Sequence, residues 1–415
     1  MAQLSDSRTP SSPSRGLYPS WIVVAAGVSG SLHVGKLPPA VPVLQEQLGV
    51  SLVQAGFLLS TVQVAGMALG LVVGLGADKW GLRRSMLVGL ALMALSSIVG
   101  AAATGFEWLL ALRVLEGLGF LLVAMPAPGL IRRNVLPSEL SGRMGWWGSY
   151  MPIGSAMGLL LGPWVLQATS WQFWWMALGI ISALAAVVVW RMVPADPVHA
   201  SAATSAAPAE GWRPRLALTL RSPGPWLVSL AFMLYSGQWM GVVGFLPTMY
   251  AQAGLGAHLT GLLTAVVAAS NMVGNIASGK LLHSGWSARR CLQTGYVAMG
   301  LCALLAYVQV GGEPLAPMWL RFVAVVLFSA AGGLIPATLF TSAMHLAPSA
   351  GTVSTTVGFM QQWSCVGQFA GPPLVAAVAT LMGGWQFTWM VTACMCMAGW
   401  LLALGIDRCW RRLGR

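Results

Sequence analysis

Charge is scarce in this chain. Only 8% of its 415 residues are charged, 57% are hydrophobic, and the mean hydropathy is +0.74. A soluble domain carries roughly 25% charged residues, so a fold that solvates its surface in water is excluded. Acids are scarcer than bases, 10 against 22, which leaves a net charge of +12. On a soluble domain that excess would suggest nucleic acid. Here 19 of the 22 bases fall at the two ends of the chain or in alternate loops, and the exceptions are Lys36, Arg113 and Arg321. That one-sidedness is the positive-inside pattern of a membrane protein with both termini in the cytoplasm, and it leaves no nucleic-acid role. The loop G-x-x-x-x-G-K-S/T is missing, which removes support for ATP-driven pumping, and no metal or cofactor cluster stands out. Cysteines number six. Cys291, Cys302, Cys365, Cys394 and Cys396 fall inside apolar runs and Cys409 in the basic tail. They read as small apolar side chains rather than disulfides or metal ligands. Nothing points to an enzyme.

Long apolar runs fill the space that charge leaves. A span needs about 20 apolar residues, and twelve runs qualify, at 19–42, 52–75, 83–104, 107–131, 141–167, 171–192, 225–249, 258–283, 289–311, 316–345, 350–382 and 384–406. The reading is an all-α membrane protein. Residues 1–18 are a polar, disordered cytoplasmic tail; 19–192 and 225–406 are six-helix bundles; 193–224, rich in Ala, Pro and Ser, is a flexible cytoplasmic linker. Residues 407–415 are a basic tail.

The two bundles repeat each other. Pro42, Gly49, Gly56 and Gly74 recur 205 residues later as Pro247, Gly254, Gly261 and Gly279. Leu112, Arg113 and Pro128 recur 208 later as Leu320, Arg321 and Pro336. Gly158-x-x-x-Gly162-Pro163 recurs 209 later as Gly367-x-x-x-Gly371-Pro372, and WQFWW at Trp171 recurs 214 later as WQFTW at Trp385. The offset only grows, as loop insertions would make it. Six spans is an even number, so the halves lie parallel.

Between the second and third runs stands GLGADKWGLRR, a short polar turn. Gly74 suits close packing, Gly81 a left-handed turn, and Asp78 the positive end of the next helix. With Arg83 and Arg84, this stretch resembles the signature loop of the major facilitator superfamily, G-x-L-x-D-R-x-G-R-R/K. Gly76, Lys79 and Leu82 depart from that pattern. The competing reading is a plain basic turn. The second copy, SGKLLHSGWSARR, keeps Gly279, Arg289 and Arg290 but has His283 in place of the acid, so any gating role falls to the first copy. The resemblance covers residues 19–406. It implies the twelve-helix fold in two parallel pseudo-repeats, with a solute site near the midplane opened alternately to each side.

The fourth run contains ALRVLEGLGF, similar to a second motif of that superfamily, R-x-x-Q-G-x-G, with Glu116 in place of Gln. Arg113 and Glu116 are three apart and share a helix face. Charge within a bilayer is costly, and Glu116 is the one carboxylate well inside a run, hence the candidate proton site; the alternative is a structural ion pair. In the first run His33 and Lys36 are also three apart, beside Pro38, Pro39 and Pro42, which bend or end a helix. Counting rise per residue places Lys36, Arg113 and Arg321 at one level in the outer third. Either they converge on an anion or each snorkels separately. Tyr235, Gln238 and Trp239 in the seventh run, with Gln238 the repeat partner of His33, and Gln361 and Gln362 in the eleventh either orient a solute or join helices. Lys36-Leu37-Pro38 and Gln238 with Leu246-Pro247 resemble the cyanate and nitroimidazole porter group. Gly158, Gly162 and Pro163 are similar to the antiporter motif of drug exporters, but Leu166-Gln167 replaces its last glycines, and the recurrence at Gly367, Gly371 and Pro372 favours helix packing.

The reading is therefore a monomeric secondary transporter in a bacterial inner membrane, moving a small anionic solute, with protons as a possible coupling ion. The runner-up is a proton-antiporting exporter of amphipathic drugs or metabolites. A sensor built on a transporter scaffold is disfavoured, because no stretch is long enough for an added soluble domain.

Overall fold

The computed structural model of the chain describes residues 18–70, 81–136, 139, 143, 146–196 and 212–412. Gly74 and Asp78 of the signature turn, the tail at 1–17 and residues 197–211 lie outside these. The described residues form twelve helical spans. The first runs Tyr18–Gly35 and continues as Leu37–Leu48; the second is Leu52–Thr61 and Val64–Gly70, bent by 42° between them. Third to sixth are Leu82–Gly100, Phe106–Ala124 with Ala127–Asn134, Tyr150–Ala168 and Trp171–Met192. Seventh to ninth are Pro223–Gln252, Ala257–His283 and Ala288–Tyr307. The tenth is Met318–Gly332 with Leu334–Leu346, the eleventh Val353–Leu381 and the twelfth Thr388–Arg412.

Nine of these are long and apolar enough to cross a bilayer, ten with the bent pair. The first span misses the mark because it breaks at Lys36. The ninth misses it because Arg289, Arg290 and Gln293 dilute its opening turns. Two features were not foreseen. Residues Trp212–Arg221, inside the segment read as a flexible linker, form a helix. A two-stranded hairpin, Gln309–Val310 with Glu313–Pro314, joins the ninth and tenth spans. Its turn is Gly311-Gly312, with φ of 64° and 88°, the left-handed pair that tight hairpins require.

Local chemistry sets the helix ends. Ser51 opens the second span with a capping box to Gln54, and Ser170 accepts the Phe173 amide at 3.2 Å to open the sixth. Gly81, at φ 92°, precedes the third. Asp196, from the linker, accepts the Arg83 and Arg84 amides at 3.1 Å each and pairs with Arg133 at 3.1 Å. It thus fastens the end of the sixth span to the start of the third and the end of the fourth. The second half repeats the device: Asp407, in the twelfth span, meets Arg289, at the start of the ninth, at 3.5 Å.

The halves meet most extensively along two seams, second against eleventh span and fifth against eighth, with a smaller contact of the first span on the seventh. At each seam, a glycine faces a proline of the other half. A Cβ on Gly56 would lie 2.9 Å from Pro373, and one on Gly261 would lie 2.9 Å from Pro163. Both contacts sit on the side away from the basic loops. Within each half the G-x-x-x-G-P segments pack on the first helix of the repeat. Cβ atoms at Gly158 and Gly162 would meet Gly35 at 2.8 Å and Pro39 at 2.5 Å. Those at Gly367 and Gly371 would meet the Met233 and Gly237 carbonyls, at 2.1 and 2.0 Å. Backbone approach this close is open only to glycine.

Candidate functional site: a buried charge cluster beside an amide-lined cavity

Two prolines decide where the first span breaks. Pro38 and Pro39 have no amide proton to return to the preceding turn, and the helix breaks at Lys36. The second span bends one helical turn past Leu58. Arg113 of the fourth span is aimed at both breaks. Its Nη1 donates to the His33 carbonyl at 2.8 Å and its Nε to the Leu58 carbonyl at 3.2 Å. Trp174 Nε1 donates to the Lys36 carbonyl at 3.1 Å. Backbone oxygens at helix breaks thus find donors, as a bilayer demands.

Around this pin lies a compact charge cluster. Arg113 Nη1 donates to Glu116 Oε2 at 2.6 Å, and the Lys36 ammonium donates to Glu116 Oε1. His33 Nδ1 lies 3.2 Å from the same Oε1, and its Nε2 lies 2.8 Å from Ser182 Oγ. A proton on Nδ1 lets the ring donate to the carboxylate and accept from the serine. Lys36 also donates to Ser97 Oγ at 2.9 Å and stands 4.5 Å over the Trp175 ring. His33, Lys36, Arg113 and Glu116 are each at most 1% exposed. Two bases share one acid, so with His33 neutral the cluster holds a net charge of +1. Among the described residues, Arg113 Nη2 has no partner.

The rest of the R-x-x-E-G-x-G motif explains the fit. Gly117 lets the fourth span touch the bend of the second: a Cβ there would lie 2.3 Å from the Val62 carbonyl. Gly119 does the same against the third span, at 2.7 Å from the Gly89 carbonyl. Gly117 also borders a cavity of about 60 Å³ between the halves. Gln63, Tyr150, Gln361, Gln362 and Cys365 line it, and among the described residues no charged side chain does. Two hydrogen bonds cross from half to half here, Gln63 Nε2 to Gln368 Oε1 at 3.0 Å and Gln362 Nε2 to the Met67 carbonyl at 2.6 Å. Among the described residues, Gln361 Oε1 is buried without a partner.

Not every sequence candidate joins this site. Arg321 does not converge with Lys36 and Arg113: its Nε donates to the Ala306 carbonyl at 2.7 Å within its own half. Tyr235 accepts from Asn271 Nδ2 at 2.9 Å, and Trp239 donates to Ser329 Oγ at 3.0 Å; both tie helices within the second half. Gln238 accepts from Cys396 Sγ at 3.1 Å. This last pair mirrors His33 with Ser182, since 33 + 205 = 238 and 182 + 214 = 396. Offsets of 205 and 208 place Gly241 opposite Lys36 and Ala324 opposite Glu116, so the second half lacks the ion pairs. Of the gating candidates, Gly81, Arg83 and Arg84 hold the Asp196 clamp described above. Ser97, Ser182, Gln63, Tyr150 and Gln368 were missed. A glutamine at the middle of an apolar run, as Gln63 is, was the signal available; serines that bond within spans give none.

The Major Facilitator Superfamily model matches residues 22–366. The chain belongs to the major facilitator superfamily. As a superfamily member it is a multi-pass membrane transporter. It is 24% identical over 389 residues to the cyanate transport protein CynX of Escherichia coli (strain K12), covering 92% of this chain and 94% of that one. It is 31% identical over 368 residues to a chloramphenicol resistance protein of Streptomyces lividans, with 86% of each covered. The fold matches an inward-facing crystal structure of a bacterial homolog of the human lysosomal transporter Spinster. The TM-score is 0.78 at 16% identity, over 97% of this chain and 99% of that one.

Proposed function

We propose that this transporter carries a small anion by alternating access of its two halves, as a monomer whose basic side faces the cytoplasm. The charge count carries this reading. Lys36 and Arg113 face one carboxylate, and the surplus positive charge sits in a bundle with nothing to balance it among the described residues. Burying an unbalanced charge is costly, and a monoanion reaching Arg113 Nη2 from the amide-lined cavity would neutralise it. Arg113 is the proposed ligand, Lys36 sets the field, and Gln63, Gln361, Gln362 and Tyr150 orient the solute. A proton on Glu116 would free both bases for the anion, which gives symport a structural route. The name of the cyanate transport protein supports the anion class.

One observation favours a second reading. Among the described residues the cavity lining is neutral, which suits export of an uncharged molecule, and the relative at 31% identity is named for chloramphenicol resistance. Melting of purified protein with cyanate, bicarbonate, chloramphenicol and choline separates the two. A ligand at 100 times its dissociation constant stabilises by about 2.7 kcal/mol. Anions should raise the melting point of the wild type, and Arg113→Lys should weaken that response because one ammonium cannot reproduce the planar fork. A response to chloramphenicol or choline alone defeats the anion reading.

A further inference from the structure

The helix Trp212–Arg221, WRPRLALTLR, is about 15 Å long, too short to span a bilayer. It lies between the halves in sequence and packs on the second half. Its own Thr219 is fully buried, and the helix packs on Ala350–Thr352 and on the seventh and eleventh spans. Trp226 Nε1 donates to its Leu220 carbonyl at 2.9 Å. Pro214, Ala217, Leu218 and Arg221 are exposed, at spacings that share one helix face. Leu218 is 43% and Leu220 40% exposed. The segment holds three arginines and no acid. The seventh span opens at Pro223, one residue beyond Ser222, which keeps the helix beside the basic-side end of that span.

We infer that this face lies in the headgroup layer on the basic side and binds acidic phospholipids. Leu218 enters the acyl boundary, and Arg215 and Arg221, three residues to either side of it, meet the phosphates. An exposed leucine with a base on either side of it suits a helix lying at a membrane interface. The positive charge selects acidic over zwitterionic headgroups. Because the same helix rests on the eleventh span and joins the halves, bound lipid steadies the joint across which they move.

The test is amide exchange of residues 213–221 in the full chain, reconstituted in nanodiscs of phosphatidylcholine with or without phosphatidylglycerol. Each base at an anionic surface contributes about fivefold, so phosphatidylglycerol should slow exchange about 30-fold. The double variant Arg215→Gln, Arg221→Gln should lose that protection, and Leu218→Ser should reduce it. Soluble glycerol phosphate added to phosphatidylcholine discs should do nothing. Equal exchange in the two discs overturns the inference. So does protection that survives in the double variant or in Leu218→Ser, and so does glycerol phosphate reproducing the effect, which would make this a site for free phosphate.

Discussion

Glu116→Gln is the sharpest perturbation of the cluster. It keeps the side-chain shape and removes the one acid. Lys36 and Arg113 then remain as two cations, each at most 1% exposed, with no counter-ion. Removing one partner of a buried pair costs about 3–5 kcal/mol. Lys36→Met removes a base instead. Arg113 and Glu116 stay matched, and Ser97 Oγ still donates to the Trp175 carbonyl at 2.8 Å. The loss is then about 1–3 kcal/mol, that of the ammonium's hydrogen bonds. Glu116→Gln should therefore be the less stable by about 2 kcal/mol, although it changes fewer atoms. Equilibrium unfolding of both variants in the same micelles measures this. Adding an anion sharpens the contrast, because Glu116→Gln carries +2 where Lys36→Met is neutral: the first should regain stability and the second should not. If Lys36→Met is the weaker protein, or Glu116→Gln melts like wild type, charge balance does not govern the cluster.

Asp196→Ala should cost about 1 kcal/mol, the worth of a helix cap, and should speed amide exchange at residues 83–86; unchanged exchange there would show that the clamp is idle. Gly261→Val sets a branched side chain against Pro163, where even a Cβ would lie at 2.9 Å. It should pry the halves apart on the side away from the basic loops. A cysteine at Leu166, beside that seam, should then react faster with an impermeant maleimide in a background stripped of native cysteines, and an unchanged rate would sink this.

Much of the fold was legible because bilayers punish exceptions. Apolar run length gives the spans, and the growing offset from 205 to 214 gives the repeat. The pairing of Arg113 with Glu116, and their meeting with Lys36, follow from three-residue spacing and shared depth. Depth is not azimuth, however, which is why Arg321 was grouped with bases it never meets: rise per residue says how deep a side chain lies, not which neighbour it faces. The Asp196 clamp was hidden for another reason. Its partners lie 112 and 113 residues away, and it sits in an Ala- and Pro-rich stretch whose composition reads as slack. The helix at Trp212–Arg221 was missed likewise, since Pro214 within a basic run looks like a break, whereas proline is tolerated in a helix's first turn.

The solitary positive charge of the cluster has an electrical consequence. In the proposed cycle the halves rock, and the water-filled approach to the cluster moves from one side of the membrane to the other. The charge stays in its helix pin, but the share of the membrane voltage falling across it changes. Moving one elementary charge through the whole of a 100 mV drop is worth about 2.3 kcal/mol. The empty carrier should therefore return at a rate that depends on voltage, while the carrier loaded with a monoanion, being neutral at that point, should turn over almost blind to it. Presteady-state currents would then belong to the unloaded protein.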